Sequence, residues 1–400
     1  MTYEVNGWQP GTLGENLARA GVSRRDFMKF CGGLAAIFAV GTPTVAAAEP
    51  TPDAVRIADA LAAVKKPNVV WLQLQECTGC MESTIRSGGT TVEDVVLSLL
   101  SVTYNELVMA AAGEAAEKAL HDTNAEPHIL VVNGSVPTKD GGIYCMIGGK
   151  TAEQVLRESA EKATAILAVG ACAVYGSVQA ASPNPTGAVG VDEIIRNKPV
   201  INVSGCPPIG EVITATIAYI LTHNDLPKTD AEGRPLFAYG QRIHDSCPRR
   251  AHYDAGQYVR TFDDAGAREG WCLYDVGCKG PSTFSPCPIV QWNLKTSWPI
   301  EAGHPCIGCT EKHFFDRFTP FYSRLPLVPG LGVEATAEKV GWGLLGAVSA
   351  GVAVHAGITG ARQLAERRAA ETTQPLSAFG EAPPPAPEET TTTETGPKGE

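Results

Sequence analysis

Basic residues are in the minority along this 400-residue chain. Lysine and arginine together number 32, against 43 aspartate and glutamate residues, so the formal net charge at pH 7 is −11. The sequence has no basic stripe that could neutralise a phosphate backbone. This deficit argues against nucleic acid as a partner.

Small disulfide-rich repeats are also lacking, although the chain has 12 cysteines. Hydrophobic residues make up 44% of the sequence, so its length allows two domains with sizeable cores plus appendages. The cysteines therefore either staple loops or bind metal. They occupy positions 31, 77, 80, 145, 172, 206, 247, 272, 278, 287, 306 and 309.

The N-terminal region has the layout of an export signal. Arg24 and Arg25 precede an apolar run over residues 31–48, which ends in three alanines suited to a cleavage site. Paired arginines in this place are typical of the twin-arginine route, which exports folded and often cofactor-loaded proteins. We predict a cleaved signal peptide over residues 1–48; the alternative is an amphipathic helix that is retained. The export route favours metal over disulfides.

An uncharged apolar run covers residues 340–360. At a rise of 1.5 Å per residue these 21 residues would cross a hydrocarbon core of about 30 Å. The arginines that follow the run place that end in the cytoplasm. We predict a transmembrane helix over residues 335–365, with a buried core helix rich in glycine and alanine as the alternative. His355 within the run could bind haem or face a partner helix.

Short apolar, β-branched runs alternate with helix-like stretches in the first half of the chain. This alternation predicts a parallel, doubly wound α/β sheet. The predicted strands cover residues 68–74, 128–133, 165–169 and 199–203, and the predicted helices cover residues 92–107, 151–163 and 210–221.

Four cysteines follow these predicted strands. Cys77 and Cys80 come after the first strand, Cys172 after the third and Cys206 after the fourth. Ligands of such sheets bind beyond the carboxyl ends of the strands, so we expect the four thiols to meet at one edge. Four thiolates suit a 4Fe–4S cluster, with zinc as the alternative.

Regular periodicity fades between residues 241 and 320, where metal-binding residue types crowd together. His244 and six cysteines fall within about 65 residues, and they divide into a group of three and a group of four that includes the histidine. A loop-rich segment of this kind would gain its order from bound metal. Disulfide bonds are the alternative in an exported protein. Removal of the signal would leave eleven cysteines, an odd number, and C-x-x-C pairs close few useful loops.

The order of seven motifs makes the chain resemble the small subunit of nickel–iron hydrogenases. The motifs are ECTGCME (76–82), MAAAGE (109–114), GACAVYG (170–176), SGCPP (204–208), HDSCPRR (244–250), GCKGP (277–281) and WPIEAGHPCIGC (298–309). The resemblance covers residues 68–321, and both appendages match the membrane-bound uptake members of that family.

This resemblance implies three iron–sulfur clusters, two of the 4Fe–4S type and one of the 3Fe–4S type. The proximal set, which would hold a 4Fe–4S cluster, is Cys77, Cys80, Cys172 and Cys206. The distal set, which would hold the second 4Fe–4S cluster, is His244, Cys247, Cys272 and Cys278. The medial set, which would hold the 3Fe–4S cluster, is Cys287, Cys306 and Cys309. Pro299 matches the place of a fourth medial ligand, and a prolyl ring cannot bind iron.

The resemblance also implies a mechanism divided between chains. The family's nickel–iron centre, which converts H2 to two protons and two electrons, sits in a separate large subunit, so no catalytic residue is expected here. This chain would pass electrons through the proximal, medial and distal clusters to a membrane cytochrome b and quinone. Glu76 could assist proton or hydrogen-bond traffic at the subunit interface, or be an ordinary interface carboxylate.

The expected fold is therefore α/β. A flavodoxin-like, doubly wound parallel sheet domain would cover residues 49–235, and a loop-rich iron–sulfur cluster domain would cover residues 236–330. Residues 366–400, which are biased toward proline, threonine and glutamate, are predicted to form a disordered tail. The whole would lie on the periplasmic side of the cell membrane, anchored by the C-terminal helix, as a dimer of heterodimers.

Three other classes of protein remain open on the sequence. A cluster-bearing subunit of a quinone oxidoreductase would carry one cluster, and the ligand-rich block over residues 244–309 argues against it. A self-sufficient ferredoxin-like carrier would need no catalytic partner. An exported disulfide-bonded interaction protein would hold no iron.

Oxygen tolerance depends on two further positions. Oxygen-tolerant relatives have two extra cysteines around the proximal cluster; here Gly79 occupies the first position, whereas Cys145 matches the second. An unligated buried thiol behaves as a small apolar residue. We expect this of Cys145, with ligation as the alternative, and therefore an enzyme inhibited by air.

Overall fold

The structure is a computed structural model, and it describes residues 24–39, 52–63, 67–87, 100–293, 295–324 and 337–372. The chain divides into two compact units, Met1–Leu325 and Pro326–Glu400. The predicted boundary between residues 235 and 236 falls inside the first unit, so it remains a prediction.

Five parallel strands form the central sheet of the first unit. Apolar runs dominate them, and all six residues of β3 are buried, as expected for a strand that is covered on both faces. The order across the sheet is β2-β1-β3-β4-β5, which confirms the predicted parallel α/β architecture. The strands are β1 (Asn68–Gln73), β2 (Ser101–Asn105), β3 (His128–Asn133), β4 (Ala163–Val169) and β5 (Val200–Val203).

Strand β2 corrects one prediction. The sequence predicts a helix over residues 92–107, but β2 pairs in parallel with β1 at the edge of the sheet. The central residues of β2 are β-branched or aromatic, and such side chains fit a pleated surface. The helix prediction is wrong for this stretch, and residues 92–99 lie outside the described residues.

Helices cover both faces of the sheet. Apolar side chains of α1, α2, α3 and α9 pack against one face, and those of α4, α5, α6 and α8 against the other. Each large aliphatic side chain fully buried in this way contributes about 1.5–3 kcal/mol. The helices are α1 (Arg24–Phe38), α2 (Pro52–Ala63), α3 (Gly79–Ile85), α4 (Glu114–Asn124), α5 (Ala152–Ala160), α6 (Ala171–Tyr175), α7 (Ser177–Ala180), α8 (Val191–Ile194) and α9 (Gly210–His223).

Local sequence explains which of these helices could be predicted. Helix α5 begins with a capping box, in which Thr151 and Gln154 exchange side chain-to-backbone hydrogen bonds. Helices α5 and α9 confirm the predictions for residues 151–163 and 210–221. Helix α4 is not predicted, because its apolar face is narrow and buries few residues.

Helix α1 packs onto the first unit by one face. Its buried residues recur every three or four positions, the spacing of an amphipathic helix. They are Phe27, Phe30, Cys31 and Leu34. Most of the predicted signal peptide, residues 1–23 and 40–48, lies outside the described residues, so its cleavage remains a prediction.

The part of the first unit that follows α9 is built from short helices of three to five residues. They surround a small core of their own, in which Ile243, Leu273 and Trp298 are buried. This architecture agrees with the predicted loop-rich segment. The short helices are Leu236–Tyr239, Ile243–Ser246, Arg250–Asp254, Ala265–Arg268, Gly280–Ser282, Cys287–Val290 and Phe314–Arg317.

The second unit contains one helix, Ala337–Thr372, within its described residues. Its stretch Trp342–Ala369 contains an 18-residue window with a mean hydropathy of 1.5 that is not buried, so by length and composition the helix could cross a membrane. The helix extends through residues 366–372, which the sequence predicts to be disordered, so that prediction is wrong there. Charged side chains after an apolar run do not by themselves end a helix. Residues 373–400 lie outside the described residues.

Candidate iron–sulfur cluster sites

The proximal set assembles at the carboxyl edge of the sheet, as predicted. Cys77 and Cys80 follow β1, Cys172 lies in α6 directly after β4, and Cys206 follows β5. The four thiols are close enough for the other three to raise the pKa of Cys80, although burial is the larger cause. Three chain segments therefore bring the four sulfur atoms to one place.

A glycine makes this approach possible. Gly170 has φ +95°, which side-chain-bearing residues rarely adopt, and a Cβ atom there would lie 2.3 Å from the Sγ atom of Cys80. At Gly79 the same construction gives 3.3 Å to the Sγ atom of Cys77, a tight but tolerable distance. The site thus requires glycine at residue 170 far more strictly than at residue 79.

Burial disfavours the thiolate form of the buried cysteines in this set unless metal is bound. It raises the pKa of Cys172 to about 12 and that of Cys206 to about 11, with smaller contributions from neighbouring thiols. Such groups are protonated at neutral pH, and bound iron would displace their protons. Four converging thiols, three of which are desolvated, therefore fit a metal cluster better than free cysteines.

Three side chains beside the proximal set bear on its polarity. Glu76 has a buried Oε2 atom without a hydrogen-bond partner, and burial raises the pKa of its carboxyl group. Ser177 and Gln179 of α7 lie close enough to the Cys172 thiol to lower its pKa, against the larger effect of burial. These two residues are missed by sequence reasoning, although α7 directly follows the motif GACAVYG. The role of Glu76 stays a prediction.

The distal set lines one cavity in the second half of the first unit. All four predicted residues face it, together with Tyr253, whose ring centroid lies 4.6 Å from that of His244. Burial lowers the pKa of His244, which favours the neutral imidazole that a metal requires. The backbone N–H of Gly280 donates to the Sγ atom of Cys278 at 3.4 Å. The structure therefore brings the predicted residues together.

The medial set lines a larger cavity, of about 220 Å³. Cys287, Cys306 and Cys309 share its wall with Pro299. The Oγ atom of Ser285 donates to the Cys287 sulfur at 3.1 Å, and the Gly308 N–H donates to the Cys306 sulfur at 3.3 Å. Hydrogen bonds to sulfur are among the means by which a protein tunes a cluster's reduction potential.

In the ranges that it describes, the structure gives no support to disulfide bonds or to a zinc site, the two alternatives to iron–sulfur clusters that the sequence leaves open. All twelve cysteines fall among the described residues and each is free, so none supports a disulfide framework. Within the part of the chain that the structure describes, no three His, Cys, Asp or Glu side chains are spaced to hold a single metal ion. A zinc site would need its sulfur atoms about 2.3 Å from one ion.

Two family models match the chain. One described as "NADH ubiquinone oxidoreductase, 20 Kd subunit" matches residues 77–220, which contain the proximal cysteines. The other describes the C-terminal part of the NiFe/NiFeSe hydrogenase small subunit, and it matches residues 239–322, which contain the distal and medial sets. Together with the parallel sheet and the converging thiols, these matches define the chain as an iron–sulfur subunit of an oxidoreductase.

Relatives of known function narrow the class. The uptake hydrogenase small subunit of Azotobacter vinelandii is 46% identical over 356 residues, which are 88% of this chain and 97% of the relative. The hydrogenase-1 small chain of Escherichia coli K12 is 45% identical over 348 residues, which are 86% of this chain and 91% of the relative. This chain belongs to the nickel–iron uptake hydrogenase small-subunit family, whose members transfer electrons and carry iron–sulfur clusters.

Solved structures agree with this assignment. The NiFeSe hydrogenase of Desulfomicrobium baculatum matches with 33% identity and a TM-score of 0.61, covering 66% of this chain and 100% of that one. The actinobacterial-type NiFe-hydrogenase of Ralstonia eutropha H16 matches with a TM-score of 0.61 at 24% identity, covering 80% and 94%, which supports the fold alone.

Proposed function

We propose that this chain relays electrons from a nickel–iron centre in a separate large subunit, through three iron–sulfur clusters, to a membrane cytochrome b and quinone. The proximal and distal sets would each hold a 4Fe–4S cluster and the medial set a 3Fe–4S cluster. When bound, such clusters accept and release single electrons. The protein's own part is to hold them close together, exclude water and set their potentials.

One observation carries this proposal, namely that the three sets are joined in the order the relay needs. Cys206 of the proximal set lines the medial cavity, and the hydroxyl of Ser204, two residues before it, donates to the carbonyl oxygen of Thr310 beside Cys309 at 2.8 Å, which links the proximal and medial sets. The backbone N–H of Lys279, next to Cys278, donates to the carbonyl oxygen of Cys306 at 2.8 Å, which links the medial and distal sets. Electrons would therefore pass between neighbouring sets without crossing a water-filled gap.

The large subunit would dock near the proximal set. Large apolar side chains are exposed after the carboxyl ends of β2 and β3, on the sheet edge that carries the proximal cysteines. They are Leu107, Val108, Ile143, Tyr144 and Met146. Exposed apolar residues of this kind favour a partner surface. Cys77, which is itself exposed, would then be covered by the partner, and Glu76 would face the interface.

The C-terminal helix would anchor the complex in the membrane. Its length, its apolar composition and the arginines at its end support an anchor with a cytoplasmic C-terminus. The body would lie on the periplasmic side after export by the twin-arginine route, as a dimer of heterodimers. His355 would then lie within the membrane, beside the cytochrome.

The first domain would be flavodoxin-like. The strand order β2-β1-β3-β4-β5 supports this description, because flavodoxin-like sheets have the order 2-1-3-4-5 and bind their cofactors at the carboxyl edge. We place this domain at residues 49–235 and the medial and distal cluster domain at residues 236–330.

Purification of the intact membrane complex tests the proposal. We expect a large subunit to co-purify and about eleven iron atoms per small subunit, from two four-iron clusters and one three-iron cluster. About four iron atoms would instead fit a quinone oxidoreductase subunit with one cluster. A chain that purifies alone would fit a ferredoxin-like carrier, and an iron-free chain would contradict every cluster assignment.

A further inference from the structure

A buried arginine lies where the sheet domain meets the cluster-rich segment. Arg234 follows α9 in the chain, and only 4% of its side chain is exposed. Its Nε atom donates to Oδ2 of Asp230 at 2.8 Å, and its Nη1 atom donates to Oε1 of Glu311 at 3.1 Å. One guanidinium group is thus held between two carboxylates that are distant in sequence.

The same guanidinium reaches the backbone between the proximal and medial sets. The carbonyl oxygen of Thr310 accepts hydrogen bonds from Nη1 of Arg234 at 3.1 Å and from Oγ of Ser204 at 2.8 Å. Thr310 directly follows Cys309 of the medial set, and Ser204 precedes Cys206 of the proximal set by two residues. Arg234 therefore fixes the loop of one set against the strand end of the other.

Aromatic rings complete the enclosure. The guanidinium carbon lies 5.6 Å from the ring centroid of Tyr239 and 5.7 Å from that of Phe284, within the range of cation–π attraction. The Tyr239 hydroxyl donates to the carbonyl oxygen of Ser204 at 2.7 Å. Few side chains other than arginine offer both a planar stacking face and several fixed donors.

The guanidinium group of Arg234 stays protonated, and therefore positively charged, in this buried place. Burial alone would lower its pKa, but Tyr175, Glu311 and Asp230 outweigh burial and raise the pKa above its ordinary value. A positive charge in a region of low dielectric acts strongly on neighbouring charges. It therefore favours the reduced, more negative state of a nearby redox centre.

We propose that Arg234 is a positioning residue for electron transfer between the proximal and medial clusters. It clamps the Cys309 loop onto the strand end that carries Cys206, and its buried charge keeps the reduction potential of the medial cluster high enough to accept the electron. This inference rests on the proposed function, which supplies the two clusters.

Variants of the intact membrane complex test the proposal by a redox titration monitored by electron paramagnetic resonance. Arg234→Gln removes the charge and should shift the medial midpoint potential downward while leaving the distal potential in place. Arg234→Lys keeps the charge, so its medial midpoint potential should stay close to the wild-type value. Arg157→Gln, at an exposed arginine paired with Glu153, is the matched control and should change neither potential.

The proposal is overturned if assembled Arg234→Gln keeps the wild-type medial potential. It is equally overturned if Arg234→Lys shifts the potential as far as Arg234→Gln does, because a purely structural role would then account for both results.

A second variant, Glu311→Gln, tests the proposal if the Arg234→Gln complex does not contain its clusters. Glu311→Gln removes one negative charge but keeps an oxygen acceptor for the Phe284 N–H, which donates to Oε1 at 2.7 Å. Its medial potential should rise, and an unchanged or lower value contradicts the proposal. A wild-type complex without a three-iron signal would instead contradict the proposed function.

Discussion

The hydroxyl group of Ser204 donates a hydrogen bond of 2.8 Å to the carbonyl oxygen of Thr310. Ser204 lies at the end of the strand that leads to Cys206, and Thr310 directly follows Cys309. A second contact, from the Lys279 N–H to the carbonyl oxygen of Cys306 at 2.8 Å, joins the distal and medial sets. Because buried polar groups need such partners, these bonds hold the three sets in a fixed order.

Replacement of Pro299 tests the medial assignment. Pro299→Cys places a thiol on the wall of the medial cavity, so the three-iron cluster should convert toward 4Fe–4S and its paramagnetic signal in the oxidised protein should fall. Pro299→Ser, which removes the ring without adding a thiol, is the control and should keep the signal. An undiminished signal in Pro299→Cys would place the medial cluster elsewhere.

Alanine at residue 170 tests the proximal geometry. Gly170→Ala forces a Cβ atom to within 2.3 Å of the Cys80 sulfur and strains a backbone with φ +95°, a strain of about 1–3 kcal/mol by itself. The variant should lose about four iron atoms per chain, the content of one cluster, and melt at a lower temperature. Gly79→Ala, with 3.3 Å to the Cys77 sulfur, should keep its iron. Full iron in both variants would disprove the close approach.

Substitution of Cys145 tests the expectation about oxygen. The Cys145 thiol is half-buried beside the apolar core, and burial followed by the charge of Glu106 raises its pKa, so an unligated thiol stays protonated at neutral pH. Cys145→Ser should leave the proximal spectrum and the rate of hydrogen oxidation unchanged, and the wild-type enzyme should be inhibited by air. Cys172→Ser is the positive control and should lose the proximal cluster. Two closely spaced proximal oxidation steps that vanish in Cys145→Ser would make Cys145 a ligand.

Removal of the C-terminal helix tests the anchor. A chain that ends at residue 336 should release the hydrogenase into the soluble periplasmic fraction, still able to reduce an artificial dye but uncoupled from quinone. Loss of the uncharged apolar run over residues 340–360 is the physical reason. A chain that ends at residue 372 is the control and should stay in the membrane. Membrane binding by the shorter chain would require another anchor.

The meeting of the four proximal-set cysteines could be predicted because its signal is local. Each of its cysteines follows an apolar run, and parallel strands bring their carboxyl ends to one edge. The edge strand β2 could not be predicted, because its residues continue an apolar stretch that also suits a helix.

The surroundings of the clusters escape sequence reasoning for a different reason. Arg234 and Glu311 carry no local pattern, and their contact exists only once the sheet domain and the cluster segment have packed together. Ser177 and Gln179 likewise act on Cys172 only through the turn between α6 and α7. Candidate ligand types can be predicted from spacing, whereas the polar groups that surround them depend on tertiary structure.

The central claim is that hydrogen drives electrons through three clusters in this chain. The most direct measurement is the electron paramagnetic resonance spectrum of the purified complex before and after addition of H2. The account predicts one 3Fe–4S signal in the oxidised complex, which disappears under H2 as the signals of two reduced 4Fe–4S clusters emerge. A complex without the 3Fe–4S signal, or with a single cluster that responds to H2, would contradict it.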